Sequence, residues 1–125
     1  MALPGDVLLH PTTGQRLIFR RTAAQTGGRV LEFAVYYRVG ESSPPEHRHV
    51  DQEHQVEVLE GRLLASLRGR VQSLGAGDVL LIPAGEPHAV WNASSGAAHA
   101  VWYTFPARDA EVRLEAEWLS DGVRP

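Results

Sequence analysis

Glycine and proline interrupt this chain so often that only short regular elements fit between them. Among its 125 residues are 12 Gly and 8 Pro, and no long segment follows the helical period. The runs between the breaks are apolar or alternating and carry Val, Tyr, Phe and Trp, which pack well on a pleated surface. Many short strands at close, regular spacing predict an all-β antiparallel sandwich or barrel. The predicted strands are RLIFRR, RVLEFAVYYRV, HQVEVLEG, RLLASLRG, DVLLIP, HAVWN and AHAVWYTF.

The C-terminal segment PARDAEVRLEAEWLSDG, residues 106–122, fits two structures. Apolar residues alternate with charged ones from Val112 to Trp118, as they would in a strand. The Ala and Glu content, with Leu114 and Trp118 four residues apart, also suits a helix. We expect a strand.

Length, cysteine content and charge narrow the class of protein. A chain of 125 residues fits one compact domain. The absence of cysteine excludes disulfides, thiolate chemistry and Cys-ligated metal sites. The net charge is −3 and there is no basic run, so we expect no nucleic-acid partner.

The sequence also indicates where in the cell the protein is found. No apolar stretch approaches the ~20 residues that span a bilayer, so we expect no membrane partner. The N-terminal MALPGDVLLHP lacks the basic region and long apolar run of a signal peptide, and we expect a cytoplasmic protein. All 12 basic residues are Arg, which together with the Ala and Gly content is typical of a GC-rich bacterial genome.

His47 and His49 form the first candidate pair of metal ligands. On an extended chain both imidazoles leave the same face, because only Arg48 separates them. Pro44 and Pro45 lie just upstream and stiffen the approach. For a His-x-His pattern alone, exposed histidines on a polar loop are the commoner outcome.

The next candidate is either Glu53 or His54, and the phase of the following strand decides between them. Val56 and Val58 are apolar, so their face should point to the core. His54 is in phase with these valines, whereas Glu53 is in phase with the polar residues. We therefore expect His54 to point inward and Glu53 to point to solvent. A β-bulge near residue 53 would reverse the two.

His88 is the fourth candidate ligand. An apolar strand, residues 79–82, ends at Pro83, and a Pro-Ala-Gly turn then leads towards His88 at the start of another apolar strand. On that strand His88, Val90 and Asn92 share one face.

These spacings resemble the two sequence motifs of the cupin superfamily. The second motif is complete, at Gly77, Pro83, Gly85, His88 and Asn92. The first motif matches at His47, His49 and Gly61, with six rather than five residues between Gly40 and His47. Counting six residues back from Gly61, where the family has Glu, leads to His54.

The resemblance covers residues 40–92 and implies that residues 1–125 form a single cupin-like double-stranded β-helix, or jelly-roll barrel. The metal ligands that it implies, with His in place of the usual Glu, are His47, His49, His54 and His88. Imidazoles suit a divalent transition metal such as Fe, Zn, Ni or Cu. Without a carboxylate the ion keeps both charges, which favours an anionic substrate. The alternative is a family member with an empty or weakly occupied site.

The inward faces of the predicted strands supply candidates for the wall of a pocket. Ala65 is small where a barrel interior usually has bulk, which would leave room for a ligand. The alternative is ordinary core packing, with a large neighbour such as Trp102 filling the space. The pocket-lining candidates are Tyr37, Val58, Ala65, Val90 and Trp102.

Three functions are compatible with such a site. We predict a metal-dependent oxygenase that acts on a small, partly apolar, anionic substrate, which the metal would bind beside oxygen. One alternative is a non-catalytic module that senses or stores a small molecule, since no residue stands out as a general acid or base. Another is a metal-dependent isomerase or lyase, for which Tyr37 is the candidate acid or base. We assign no catalytic residue.

The strand HAVWYTF predicts an interface with a second subunit, and the C-terminal tail is a further candidate for that interface. It is apolar on both faces, which would fit a strand buried between the barrel and a partner. Small cupins commonly dimerise, so the resemblance also implies a homodimer. We expect His99, which begins this strand, to be a packed or hydrogen-bonded residue. His10, beside Pro11, should be an exposed loop residue.

Overall fold

The computed structural model describes residues 2–120 and contains two antiparallel β-sheets around one hydrophobic core. Seven strands form one sheet and three form the other, which confirms the all-β jelly-roll barrel predicted from the sequence. The strands are β1 (Val7–Leu9), β2 (Arg16–Arg21), β3 (Leu31–Tyr37), β4 (Glu53–Glu60), β5 (Arg62–Leu67), β6 (Arg70–Gly75), β7 (Val79–Ile82), β8 (His88–Trp91), β9 (Ala98–Phe105) and β10 (Leu119–Ser120), and the helices are α1 (Ala23–Thr26) and α2 (Ala110–Glu117). Neither helix is long and apolar enough to cross a membrane.

Strand order determines which residues can meet inside the barrel. The larger sheet runs β10-β1-β2-β3-β9-β4-β7 and the smaller sheet runs β6-β5-β8. The predicted alternation holds along β4, where Val56 and Val58 have no exposed surface while Glu53 is exposed. One face of β4 therefore points into the core.

The C-terminal segment departs from the sequence prediction. Residues 110–117 form helix α2, so the predicted strand is wrong there. Residues 119–120 form the short strand β10, which pairs with β1. Residues 121–122 of the predicted segment lie outside the described residues.

Both local and tertiary effects favour the helix over the strand. Ala, Leu and Glu have high helix propensity, and the Asp109–Arg113 ion pair, with an N···O distance of 3.0 Å, spans one helical turn. A strand would place Val112 and Leu114 on the same face. In the helix Val112 is 69% exposed, while Ala110 is buried and Leu114 packs against the core.

Candidate metal centre

Four histidines from three parts of the chain lie together in one cluster. The segment before β4 carries His47 and His49, β4 carries His54, and β8 begins with His88. The ring centroids of His47 and His88 are 4.6 Å apart. The centroid of His54 lies 5.2 Å from that of His88 and 5.3 Å from that of His49. The structure thus brings together the four histidines that the sequence nominates, and their role as metal ligands stays a prediction.

Backbone hydrogen bonds explain why the loop histidines reach the barrel. The amide of His47 donates to the carbonyl of His88 (3.0 Å), and the amide of His88 donates back (2.9 Å). Residues that exchange both bonds in this way lie directly opposite one another, with neighbouring side chains. The carbonyl of His49 accepts a further bond from the Gly85 amide (2.9 Å). The loop is therefore held against β8 and the turn before it.

Three of the rings come close enough to share an ion. One nitrogen each from His47, His49 and His88 lie within 4.8 Å of one another. Two nitrogens at about 2.1 Å from one ion can be about 4.2 Å apart at most, so this cluster is close to the spacing of a metal site. His54 is not one of these three, but its ring is the neighbour of both His49 and His88.

The hydrogen bonds of His54 and His88 show that the cluster fits a metal ion. Nδ1 of His88 lies 2.9 Å from the Glu86 carbonyl oxygen, which can only accept, so this nitrogen carries the proton. Nδ1 of His54 bonds Oγ1 of Thr104 at 2.9 Å. Both Nε2 atoms are buried and have no hydrogen-bond partner within residues 2–120. Such atoms cost about 1–3 kcal/mol each when nothing compensates them, and a bound ion would compensate both.

Desolvation favours the neutral form of these imidazoles, although His47 is exposed and His49 is only half-buried. Desolvation is the largest cause that lowers the pKa of all four histidines, to about 4 for His49 and to about 3 for His54. The guanidinium of Arg113 lowers the pKa of His47, His49 and His54 further. Neutral imidazoles have the free lone pairs that metal binding requires.

The orientation predicted for the two rival residues is confirmed. His54 is 5% exposed, whereas Glu53 lies on the exposed face of β4. The pairing of β4 with β9 does contain an irregularity, but it lies between Val58 and Glu60, at the far end of the strand. It therefore does not reverse the phase at residues 53 and 54.

A cavity of about 1100 Å³ lies beside the histidines, bordered by β3, β8, β9 and one face of α2. Among the residues predicted to line it, Tyr37, Val90 and Trp102 do so. Val58 and Ala65 do not line the cavity; both have no exposed surface and belong to the hydrophobic core. For these two residues the alternative of ordinary core packing is the one observed, because neighbouring strands fill the space around them.

Trp102 connects the aromatic wall of the cavity to the histidines. Its Nε1 donates to the hydroxyl of Tyr37 (2.9 Å), and its ring stacks on Phe33 at a centroid distance of 6.2 Å. Its centroid is also 5.8 Å from that of His54. Burial raises the pKa of the Tyr37 phenol well above its usual value, so this hydroxyl stays protonated at neutral pH and can donate a hydrogen bond.

Two residues of the site were missed in the sequence. Thr104 lies two residues after Trp102 on β9 and bonds His54, so the period of two along the strand could have indicated it. Arg113 lines the cavity from α2. No local pattern could place it there, because its position depends on how a helix distant in sequence packs.

The other two histidines lie outside the cluster. Nδ1 of His99 bonds Glu60 at 3.0 Å and its ring stacks on Tyr36 at 4.5 Å, which confirms a packed, hydrogen-bonded residue. His10 lies in a loop, but it is half-buried and its ring is 5.0 Å from that of Trp118. The prediction of an exposed His10 is therefore wrong, because the segment after α2 covers it.

A small jelly-roll barrel that encloses a cavity beside four imidazoles belongs to the class of β-barrel proteins that hold a ligand inside the barrel. The family model for the cupin domain matches residues 33–104, more than half of the sequence. The chain belongs to the cupin family. No curated protein matches it in sequence.

Solved structures with very different sequences share the fold. An RmlC-like cupin from Shewanella frigidimarina has a TM-score of 0.71 and 16% identity, over 85% of this chain and 88% of that one. A predicted oxalate decarboxylase from Thermotoga maritima has a TM-score of 0.71 and 17% identity, over 84% and 98% of the two chains. KdgF from Halomonas sp. has a TM-score of 0.68 and 16% identity, over 83% and 89%.

Proposed function

We propose that this protein is a metal-dependent enzyme of the oxygenase type that acts on a small, partly apolar, anionic substrate. The observation that carries the proposal is the pair of buried Nε2 atoms, on His54 and His88, without a partner among the described residues. Both residues border the same cavity. Buried polar atoms left without partners call for an explanation such as an ion, and a concave apolar pocket with a few polar groups is the usual form of a small-molecule site.

The residues that would hold a divalent transition metal are His47, His49, His54 and His88. Imidazole ligands suit Fe, Zn, Ni or Cu, and such an ion, when bound, supplies a Lewis acid and a template for the reactants. Thr104 and the Glu86 carbonyl orient the rings of His54 and His88 by binding their Nδ1 atoms. Four neutral imidazoles leave both charges of the ion uncompensated, which favours an anionic substrate.

The cavity wall supports the same class of substrate. Phe33 and Trp102 provide an apolar aromatic surface, and Tyr37 provides a hydroxyl that can donate to a substrate oxygen. The arginines that line the cavity are Arg38, Arg48 and Arg113. The similarity in fold to a predicted oxalate decarboxylase also supports a small carboxylic acid as substrate.

The second candidate function is an isomerase or lyase, which the buried Tyr37 hydroxyl favours. Because the pKa of this phenol is raised, Tyr37 would act as a proton donor to the substrate rather than as a base. Non-catalytic sensing of a small molecule is the remaining possibility. The cytoplasmic location and bacterial origin stay predictions from the sequence.

Metal analysis and oxygen uptake test the proposed function. Protein purified without chelator should contain a transition metal, and a panel of small carboxylic acids should include one that drives metal-dependent oxygen consumption. His88→Ala should abolish that activity, while His99→Ala, which changes a histidine outside the cluster, should retain it. Metal-dependent proton exchange on a substrate without oxygen uptake would favour the isomerase or lyase. Binding of a ligand with neither activity would favour a sensor.

We also propose that the protein is a homodimer that pairs through the outward face of the larger sheet. On this face Tyr36 of β3 is 41% exposed, and Val79 and Leu81 of β7 are 51% and 62% exposed. A group of large apolar side chains exposed on one face is typical of an interaction surface.

Leu81→Glu should raise the dimer dissociation constant by at least about tenfold, because an unpaired carboxylate would be buried at the interface. Val71→Glu is the matched control, since Val71 is 59% exposed but lies on β6 in the other sheet. Light scattering and sedimentation velocity would measure the monomer–dimer equilibrium of the wild type and of both variants. A wild-type protein that is monomeric at high micromolar concentration would contradict the proposal.

A further inference from the structure

Helix α2 forms a part of the cavity wall that lies outside the two cupin motifs. The side chains with which it lines the cavity recur every three or four residues and are Ala110, Arg113, Leu114 and Glu117. Trp118, just after the helix, packs edge-on against His10. Arg113 is therefore a cation in the wall of the cavity, with a side chain that is only 25% exposed.

Two hydrogen bonds hold the Arg113 guanidinium in place. Nη1 donates to Oδ1 of Asp109 (3.0 Å) and Nη2 donates to Oε1 of Gln52 (3.2 Å). Gln52 is itself fixed, because it is 1% exposed and its Nε2 donates to the carbonyls of Pro106 (3.1 Å) and Ala107 (2.7 Å). A guanidinium that is already ordered loses little entropy when it binds a ligand.

Much of this guanidinium remains available to a ligand. An arginine side chain has five N–H donors, and the described hydrogen bonds use two of them. The carboxylate of Asp109 is 75% exposed, so water screens that ion pair. The positive charge also acts on the histidine cluster, where it lowers the pKa of His47, His49 and His54.

We infer that Arg113 binds the carboxylate of the substrate and makes the site selective for small carboxylic acids. This inference rests on the proposed function, because it places the substrate between Arg113 and the histidine cluster. The planar fork of a guanidinium matches the two oxygens of a carboxylate. Inorganic phosphate also fits such a fork, but it is a tetrahedral anion with two further oxygens that the same edge of the guanidinium does not reach, so it should bind more weakly than the best carboxylate. Gln52 is then a positioning residue, which acts through Arg113.

The test uses the whole chain loaded with zinc, whose uptake is measured first by calorimetric titration. Pyruvate, malonate and succinate are then titrated into the wild-type, Arg113→Gln, Arg113→Lys and Arg108→Gln proteins, with inorganic phosphate as a competing anion. Arg108 is the matched control, because its side chain is 57% exposed, pairs with Asp51 and lies outside the cavity wall.

At least one of the three carboxylates should bind the wild-type protein. Arg113→Gln should weaken that binding by at least about tenfold, the size of one lost charge-assisted hydrogen bond. Arg113→Lys should lose less affinity for the carboxylate than Arg113→Gln, because lysine keeps the positive charge but lacks the planar fork of donors. Arg108→Gln should bind like the wild type. All four proteins should still bind zinc, and Arg113→Gln should bind it no more weakly than the wild type, because the substitution removes a positive charge near the ion.

Three results would overturn the inference and leave the metal site standing. They are equal carboxylate binding by the wild type and Arg113→Gln, no binding of any of the three acids to the zinc-loaded wild type, and tighter binding of phosphate than of every carboxylate. If the wild-type protein binds neither zinc nor iron, nickel or copper, the proposed function fails, and this inference fails with it.

Discussion

Replacing His54 with alanine should weaken metal binding by more than about a hundredfold. Loss of a residue that merely orients a ligand typically costs about 10- to 100-fold in metal affinity, and loss of the ligand itself should cost more. His54 is 5% exposed, its Nδ1 is bound to Thr104, and its Nε2 is buried without a partner among residues 2–120. Competition with a chromophoric chelator would measure the affinity of the purified protein for zinc.

Glu53→Gln is the matched control for this experiment. It changes the adjacent residue and removes the carboxylate that the usual cupin motif would supply. Because Glu53 lies on the exposed face of β4, metal affinity should stay within about twofold of the wild type, a change of about 0.4 kcal/mol. If Glu53→Gln empties the site and His54→Ala does not, the ligand set contains a glutamate and the proposed four-histidine centre is wrong.

Gly61→Ala should destabilise the fold by on the order of 4 kcal/mol, an exceptional value for one methyl group. Gly61 joins β4 to β5 with φ of +79°, a conformation that favours glycine. A Cβ atom there would lie 2.1 Å from the carbonyl oxygen of Ala97 and 2.9 Å from Cα of Ala98. These are backbone atoms at the start of β9, so they cannot move away without disturbing its pairing with β4. Urea unfolding would measure the decrease in the free energy of unfolding.

Gly69→Ala separates the clash from the backbone strain. Gly69 has φ of +77°, almost the same as Gly61, but an added Cβ would meet nothing within 4 Å. Its substitution should therefore cost only the strain of the left-handed conformation, about 1–2 kcal/mol. If Gly61→Ala and Gly69→Ala lower the free energy of unfolding equally, the close approach of Ala97 to Gly61 does not constrain the fold.

The sequence predicts the parts of the site that lie on regular strands. Along β4 the alternation of Val56 and Val58 places His54 inward, since one face of the strand is buried and the period is two. The Pro and Gly residues of the turn before β8 likewise indicate where His88 begins its strand. These predictions succeed because each depends only on residues a few positions apart.

The parts that sequence reasoning did not find depend on tertiary packing. The alternation from Val112 to Trp118 fits either a strand or a helix, and the packing of Ala110 and Leu114 against the barrel adds to the local helix propensity in deciding for the helix. Ala65 is small, but only the surrounding strands determine whether a small residue leaves a cavity or is tightly packed. Arg113 is held at the cavity wall by a hydrogen bond to Gln52, a residue 61 positions away, and no local signal reports such a contact.

The histidine cluster draws its members from both sheets. His54 belongs to β4 in the seven-stranded sheet and His88 to β8 in the three-stranded sheet, with ring centroids 5.2 Å apart. An ion held by both would act as a cross-link between the two halves of the barrel. Because such an ion binds the folded chain and finds no assembled cluster in the unfolded one, stability would rise with free metal concentration, by about 2.7 kcal/mol at a hundred times the dissociation constant. The metal supply of the cell would then determine how much of this protein stays folded, as well as how much of it is active.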